Sequence, residues 1–224
     1  MYNLVIFDFD GTIFDTYDAI EHSIQLTFQQ LLPSHPTPCP ATSALSDTFR
    51  SLHPDPTTFD ESAWITTYRG IYDIHGQSQT RPYPAARQVL ESLHARKVPI
   101  AIISNKVAVA VKAALEKTDL LQYFPDSLIL GQGLAGVQRK PDPSSFTEVL
   151  WPNLQALGTE GGLDVSKVLM VGDTLTDIHY AKNIGVKSCW CRYGQGDPEE
   201  CERLEPDHII DTFEDVLKVV EGTI

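Results

Sequence analysis

Basic residues are scarce in this chain: 17 lysines and arginines stand against 30 aspartates and glutamates in 224 residues, a formal net charge of −13. A protein that grips nucleic acid by neutralising phosphates needs a basic stripe, and an anionic bilayer surface would repel this balance, so neither is expected as a partner. Long apolar runs are missing as well. No stretch approaches the ~20 residues that cross a bilayer, and Met1-Tyr2-Asn3 leads straight into a short apolar run ending at Asp8, with no basic segment and apolar leader. Cysteine is sparse. Cys39, Cys189, Cys191 and Cys201 form no C-x-x-C pair and no zinc or disulfide spacing, and read as reduced thiols of a cytoplasmic protein. What remains, at 42% hydrophobic and 21% charged residues, is the composition of a globular protein of one large domain, or of a domain with a smaller partner.

From about residue 84 onward, short apolar runs alternate with helical patterns, which predicts βαβ units and a parallel sheet. The expected strands are Asn3 to Phe7, Ile100 to Ile103, Ser127 to Leu130, Val168 to Val171, Lys187 to Trp190 and His208 to Ile210. Each is nearly continuous in apolar residues, as strands covered on both faces are. Between them, Ala86, Val89, Leu90 and Leu93 repeat with helical period, as do Val107, Ala110, Val111, Ala114 and Leu115, and a closing helix is expected over 212–220 with Thr212 and Asp215 at its start. Residues 16–82 differ. Ile20, Ile24, Phe28 and Leu31 mark a helix, Pro33, Pro36, Pro38 and Pro40 interrupt the chain, and helical stretches over roughly 42–52 and 58–75 follow without a convincing strand. The block reads as a helical insertion after the first strand, dividing the chain into 1–15 with 83–224 and 16–82. Residues 153–164, with three glycines, are expected to form a long loop.

Four short motifs carry the chemistry. Asp8-Phe9-Asp10-Gly11-Thr12 closes the first strand, and ligands of open α/β sheets gather at the carboxyl ends of strands. Two carboxylates there suit a nucleophile and proton donor, or a hard cation held through oxygen, although D-x-D-G also makes an ordinary turn. Ser104-Asn105-Lys106 follows the run Ile100 to Ile103, where a hydroxyl and free N–H groups at a helix start would receive an anion; a plain helix cap is the competing reading. Lys140-Pro141-Asp142-Pro143 puts a lysine beside a stiff turn, either as a point charge for phosphate or as a solvated surface group. Gly172-Asp173-Thr174-Leu175-Thr176-Asp177 follows Val168 to Val171, with two acids one helical turn apart that could serve Mg²⁺ or simply complement a helix dipole.

Taken in order, D-x-D-G-T, a serine after a strand, a lysine, and G-D-x-x-x-D resemble the haloacid dehalogenase superfamily of phosphohydrolases over Asn3 to roughly Gly196. The resemblance implies an α/β fold: a Rossmann-like parallel-sheet catalytic core with a small α-helical cap domain inserted after the first strand. It implies that Asp8 attacks phosphorus and that Asp10 protonates the leaving oxygen and later activates water. Ser104, Asn105 and Lys140 would bind phosphate. Mg²⁺ would be held by Asp8, the backbone carbonyl of Asp10 and Asp173, with Asp177 as a further acidic partner. An aspartate at position 10 separates the chain from dehalogenating relatives, and residues 16–82 contain no lysine for the Schiff base of phosphonate-cleaving ones. Within that block Arg50 is the candidate for meeting a substrate anion, against the alternative of a salt-bridged surface arginine. The four histidines there, His22, His35, His53 and His75, fit no metal spacing.

Tyr83-Pro84 before a helix, Ser104-Asn105-Lys106, and Ala181 to Val186 look most like phosphoglycolate phosphatases, although Ala85 stands where those relatives carry glycine. The expected activity is therefore Mg²⁺-dependent hydrolysis of a small phosphorylated metabolite, by a monomer or homodimer. A phosphosugar mutase, a pyrophosphatase or nucleotidase, and a non-catalytic binding module are the competing readings. The acidic surplus divides accordingly. Asp8, Asp10, Asp173 and Asp177 would be offset by Lys140 and the cation, whereas residues 197–224, with ten acids and two bases, read as a solvated surface.

Overall fold

The computed structural model describes residues 2–34, 45–158 and 164–224. Its chain divides into two compact units, Met1–Asp15 with Arg81–Ile224, and Thr16–Thr80.

The first unit is an α/β layer structure. Its strands are β1 (Leu4–Phe7), β4 (Ile100–Val107), β5 (Ile129–Gln132), β6 (Val168–Gly172), β7 (Lys187–Cys191) and β8 (His208–Ile210), and two short strands, β2 (Phe14–Asp15) and β3 (Arg81–Pro82), form a separate antiparallel pair. The six-stranded sheet runs β5-β4-β1-β6-β7-β8, with every neighbouring pair parallel. Period-2 alternation explains how both faces become apolar. Val5, Phe7, Ile100, Ile102, Leu169 and Val171 face α4 (Ala86–Ala95), α5 (Ala108–Lys117) and α9 (Asp215–Glu221). Leu4, Ile6, Ala101, Ile103, Val168 and Met170 face Phe146, Leu150, Leu154 of α6 (Trp151–Ala156), and Tyr180 and Ala181 of α7 (Leu175–Ile184). Complete burial of a side chain such as Phe7 contributes roughly 2–3 kcal/mol. With β1 in the middle, its carboxyl end meets the ends of β4 and β6, which is where the motif residues emerge.

The edges of these elements differ from expectation in ways that matter for the site. Strand β4 does not stop at Ile103. It continues through Ser104, Asn105 and Lys106 to Val107, so these residues are extended and α5 begins only at Ala108. The pairing of β4 with β5 shifts register between Ile103 and Val107, and β5 lies two residues later than expected, a tight turn occupying Asp126–Leu128. Gly131 permits this: a Cβ there would sit 2.6 Å from the Lys106 carbonyl oxygen and 2.8 Å from the Ala108 nitrogen. Asn153 to Ala156 belong to α6 instead of the expected loop, of which 159–163 lie outside the described residues. The closing helix starts at Asp215, three residues later than expected, so Thr212 does not cap it; Thr212 N (3.1 Å) and Oγ1 (2.8 Å) instead donate to Asp215 Oδ2 in the turn before it.

Ala85, in the glycine position of the resembled family, has φ +64°. A side chain in that left-handed region costs about 1–2 kcal/mol, only part of which a glycine returns through its looser unfolded chain. Ala85→Gly is thus expected to stabilise the protein by up to about 1 kcal/mol, read as a higher urea midpoint with an unchanged slope.

The second unit, by itself, is helical: α1 (Tyr17–Leu31), α2 (Leu45–Leu52) and α3 (Glu61–Ile71), the last widening into a π turn over Tyr72–Gly76. Asp60 starts α3 by accepting from Ala63 N at 3.1 Å. The core is aromatic, with Trp64 packed on Phe28 at 4.6 Å and on Phe49 at 5.2 Å between ring centroids. His53 is buried between Phe59 and Trp64, with Nδ1 2.7 Å from the Asp55 carbonyl, while His22 Nδ1 pairs with Gln79 Nε2. His35, Pro36, Pro38, Cys39, Pro40 and residues 42–44 of the expected second helix lie outside the described residues.

Candidate active site

Asp8 is the first residue past β1, tied to the neighbouring strand by its N–H to Val171 O at 2.9 Å. The chain then turns sharply. Gly11 adopts φ +71°, and the N–H groups of Ile13 and Phe14 return to the Phe9 carbonyl. A Cβ on Gly11 would run into the Asp173 carboxylate. Gly11→Ala therefore combines backbone strain with displacement of Asp173 and is expected to cost about 1–3 kcal/mol, measurable by denaturant unfolding.

Four buried charged groups converge here: Asp8, Lys140, Asp173 and Asp177. Lys140 Nζ lies 2.9 Å from Asp8 Oδ1 and 2.5 Å from Asp177 Oδ1. The solvated-lysine reading is thereby overturned, because only 2% of this side chain is exposed. Asp177 Oδ2 accepts from Thr174 N at 3.0 Å and Thr174 Oγ1 at 2.8 Å, so one carboxylate both caps α7 and holds the lysine. Asp173 is fixed on all sides. Its Oδ1 accepts from Thr12 Oγ1 (3.1 Å), its Oδ2 from Gln195 N (2.7 Å), and its carbonyl from Trp190 Nε1 (2.9 Å). Tyr193 donates to the Thr12 carbonyl at 2.8 Å, tying the same segment to the first motif. The Tyr193-Gly194-Gln195-Gly196 stretch was not singled out in the sequence; its signal is a glycine pair directly after β7, with room for nothing larger beside Asp173.

Ser104 is buried at the end of the apolar part of β4, its Oγ accepting the Lys106 N–H at 3.2 Å and keeping its own proton to donate. Its place is therefore an extended strand end, which corrects the expected helix start. Asn105 spends both ends of its amide on one neighbour: Oδ1 accepts Lys140 N at 2.8 Å and Nδ2 donates to Lys140 O at 3.2 Å. Its side chain thereby holds the lysine loop. Asp10 is paired, through Oδ1, with Lys106 Nζ at 2.9 Å, a lysine the motif reading passed over. Arg50 is exposed, bridged to Glu61 at 2.9 Å and stacked over Phe59, which is the surface-arginine alternative.

The electrostatics follow from burial. Burial pushes the Asp8 carboxyl up to about 6; Lys140 opposes this, and Asp177 and Asp10 add to it. Asp173 is raised well above the usual carboxylate range by burial and then by Asp177 and Asp8. For Lys140 burial works against the charge, but Asp177 and Asp8 outweigh it and the ammonium is held. Two of the three acids, Asp8 and Asp177, thus share one lysine, and Asp173 adds a third buried carboxyl beside them, a deficit of positive charge in a buried place. One oxygen from each of Asp8, Asp173 and Asp177 lies within 4.8 Å of the others, and Asp8 Oδ1, although near Lys140, accepts no hydrogen bond. An all-oxygen donor set of this kind fits a hard divalent cation. The described cysteines, Cys189, Cys191 and Cys201, are buried free thiols, and burial pushes Cys201 up to about 12, so they are poor nucleophiles and poor ligands.

A parallel sheet with buried acids and a buried lysine gathered at its carboxyl edge is the architecture of an α/β enzyme with its site at the strand ends. The chain belongs to the haloacid dehalogenase-like hydrolase family, whose model matches residues 5–191. It is similar to the pyrophosphatase PpaX of Halalkalibacterium halodurans, 27% identical over 97% of this chain and 96% of that protein. It is also similar to the phosphoglycolate phosphatase of Agrobacterium fabrum, 31% identical over 94% and 88% respectively. The solved structure of a haloacid dehalogenase-like family hydrolase from Streptococcus pneumoniae shares the fold, with a TM-score of 0.80, 21% identity, and 97% of this chain and 98% of that one covered. Among the described residues no helix is long and apolar enough to cross a membrane.

Proposed function

We propose that the protein is a Mg²⁺-dependent phosphatase that hydrolyses a small phosphorylated metabolite through an aspartyl-phosphate on Asp8. The observation that supports this best is the pairing of Asp8 with Lys140 inside the Asp8, Asp173 and Asp177 cluster. An oxygen nucleophile, a point charge for the phosphoryl oxygens and a cation cradle then occupy one strand edge. Asp8 attacks phosphorus as the ester oxygen departs, and Asp10 gives that oxygen its proton. Water then takes the phosphoryl group from Asp8 while Asp10 accepts its proton, which regenerates both residues. Ser104 and Lys140 hold the phosphoryl oxygens, and Asn105 keeps Lys140 in place. When bound by Asp8, Asp173 and Asp177, Mg²⁺ supplies further positive charge to the transferring group. In this reading the helical unit Thr16–Thr80 is the cap.

Phosphoglycolate-like monoesters are the leading substrate class, because the phosphoglycolate phosphatase relative matches 94% of this chain at 31% identity. A second reading, inorganic pyrophosphate, is favoured by the nearly full-length match to PpaX. The deciding experiment is phosphate release from a panel holding phosphoglycolate, other small monoesters, pyrophosphate and nucleoside monophosphates, with Mg²⁺ and with chelator. Release from monoesters that needs Mg²⁺ is expected; turnover of pyrophosphate alone would replace the first reading by the second.

Cation binding carries its own expectation. Protonation of Asp8 competes with the cation, so Mg²⁺ should raise the melting temperature of chelator-treated protein more at pH 7.5 than at pH 5. Equal shifts at both pH values would remove Asp8 from the ligand set.

A further inference from the structure

Asp10 has a lysine of its own. Lys106 Nζ stands 2.9 Å from Asp10 Oδ1, with 10% of the lysine side chain and 22% of the aspartate side chain exposed. The same ammonium lies 5.8 Å from the centroid of the Phe9 ring, and Phe9 is buried and stacked on Phe14 at 4.5 Å. Lys106 reaches this place because β4 runs four residues beyond Ile103, to Val107, through the register shift that follows Ile103. Lys140 is already engaged with Asp8 and Asp177. The two aspartates of the first motif are therefore served by different lysines.

Exposed ion pairs between flexible side chains contribute little, because water screens them and both partners lose freedom. This pair is shielded and rests on an aromatic face, so it restrains the Asp10 carboxylate. Resting on the proposed function above, we infer that Lys106 is a positioning residue for proton transfer by Asp10. In the first step the bond from Asp8 oxygen to phosphorus forms and the ester bond breaks, its electron pair staying on the ester oxygen. That oxygen takes the Asp10 proton. The carboxylate so created faces the Lys106 ammonium, which keeps it at the reacting edge. In the second step a water oxygen bonds to phosphorus, the Asp8 bond breaks, and the water proton passes to the carboxylate that Lys106 has held in place.

A residue that acts through proton transfer should matter in proportion to the leaving group's need for a proton. Steady-state kinetics of the wild type, Lys106→Met and Lys106→Arg on two probes test this. One is p-nitrophenyl phosphate, whose phenolate departs unprotonated; the other is an alkyl monoester that the wild type hydrolyses. Lys106→Met is expected to lose roughly 10²-fold in kcat on the alkyl ester, the scale of general acid catalysis, and only a few-fold on the nitrophenyl ester. Lys106→Arg is expected to retain most of the alkyl-ester rate. Equal losses on both esters, or an undiminished alkyl-ester rate in Lys106→Met, overturn the assignment. If Lys106→Met melts below the assay temperature, Lys106→Gln is read by the same criteria. A wild type that cleaves neither ester overturns the proposed function and this inference together. Equal losses in a wild-type background that Asp8→Asn silences overturn only the role of Lys106.

Discussion

Asp8→Asn is expected to abolish phosphate release, by a factor on the order of 10⁴–10⁶ in kcat as for other lost nucleophiles, while making the cation-free protein more stable. The two effects have one origin. Asp8 is buried, and its carboxyl is lifted from 3.8 to about 6 chiefly by that burial. A group whose folded value lies above its unfolded value binds its proton more tightly when folded, so stability falls as pH rises between the two. At pH 7.5 the ionised Asp8 therefore costs the cation-free protein up to about 3 kcal/mol, which a neutral asparagine of the same shape does not incur. Urea unfolding with chelator at pH 7.5 and at pH 4 measures it: the variant's advantage should be present at the higher pH and gone at the lower. An Asp8→Asn protein that is inactive and less stable at pH 7.5 would show that the carboxylate is held by the fold instead of strained against it.

Lys140→Met should do the opposite, lowering both activity and stability. Methionine fills much of the space but leaves Asp8 and Asp177 without the ammonium they share at 2.9 and 2.5 Å. Breaking a buried pair by removing one partner typically costs 3–5 kcal/mol, and loss of one preorganised charge at a reacting group costs about 10²–10³ in kcat. The stability loss should shrink toward pH 5, because the abandoned acids can then take up protons. Wild-type stability at pH 7.5 in this variant would mean that Asp8 and Asp177 do not depend on the lysine.

Much of this arrangement could be read before any coordinates. Apolar runs such as Leu4 to Phe7 and Val168 to Val171 announce buried parallel strands, and the acids that follow them fall at the sheet's carboxyl edge because β1 and β6 are neighbours. The misreadings sit where local chemistry and tertiary pairing disagree. Ser104, Asn105 and Lys106 are polar and end an apolar run, so they look like a helix start; pairing with β5 across Gly131 keeps them extended. That error hid Lys106, whose meaning lies in a contact with a residue 96 positions away. Lys140 in isolation looked no different from a surface lysine, since burial is not written in a single residue, and only the ordered set of motifs singled it out. Gln195 was invisible for a related reason: it acts through its backbone N–H, which any residue supplies. Arg50, the conspicuous cation of the helical block, has a surface partner in Glu61 that its own position in the sequence does not announce.

The small β2–β3 pair bears on how the chain can find its fold. Phe14 and Asp15 lie opposite Pro82 and Arg81, so the chain leaves the sheet unit and re-enters it at adjacent points. Val5 must find Ile100, a loop of roughly 95 residues with the helical unit in the path and roughly 30 without it, and the entropy of closing the longer one exceeds the shorter by only about 1 kcal/mol. Zipping Asp15 against Arg81 moves that penalty to an earlier step, after which the intervening 65 residues no longer count toward the distance that Val5 and Ile100 must search. Because closure entropy grows so slowly with length, an insertion of that size at this point of the chain adds little to the search by which the central strands meet.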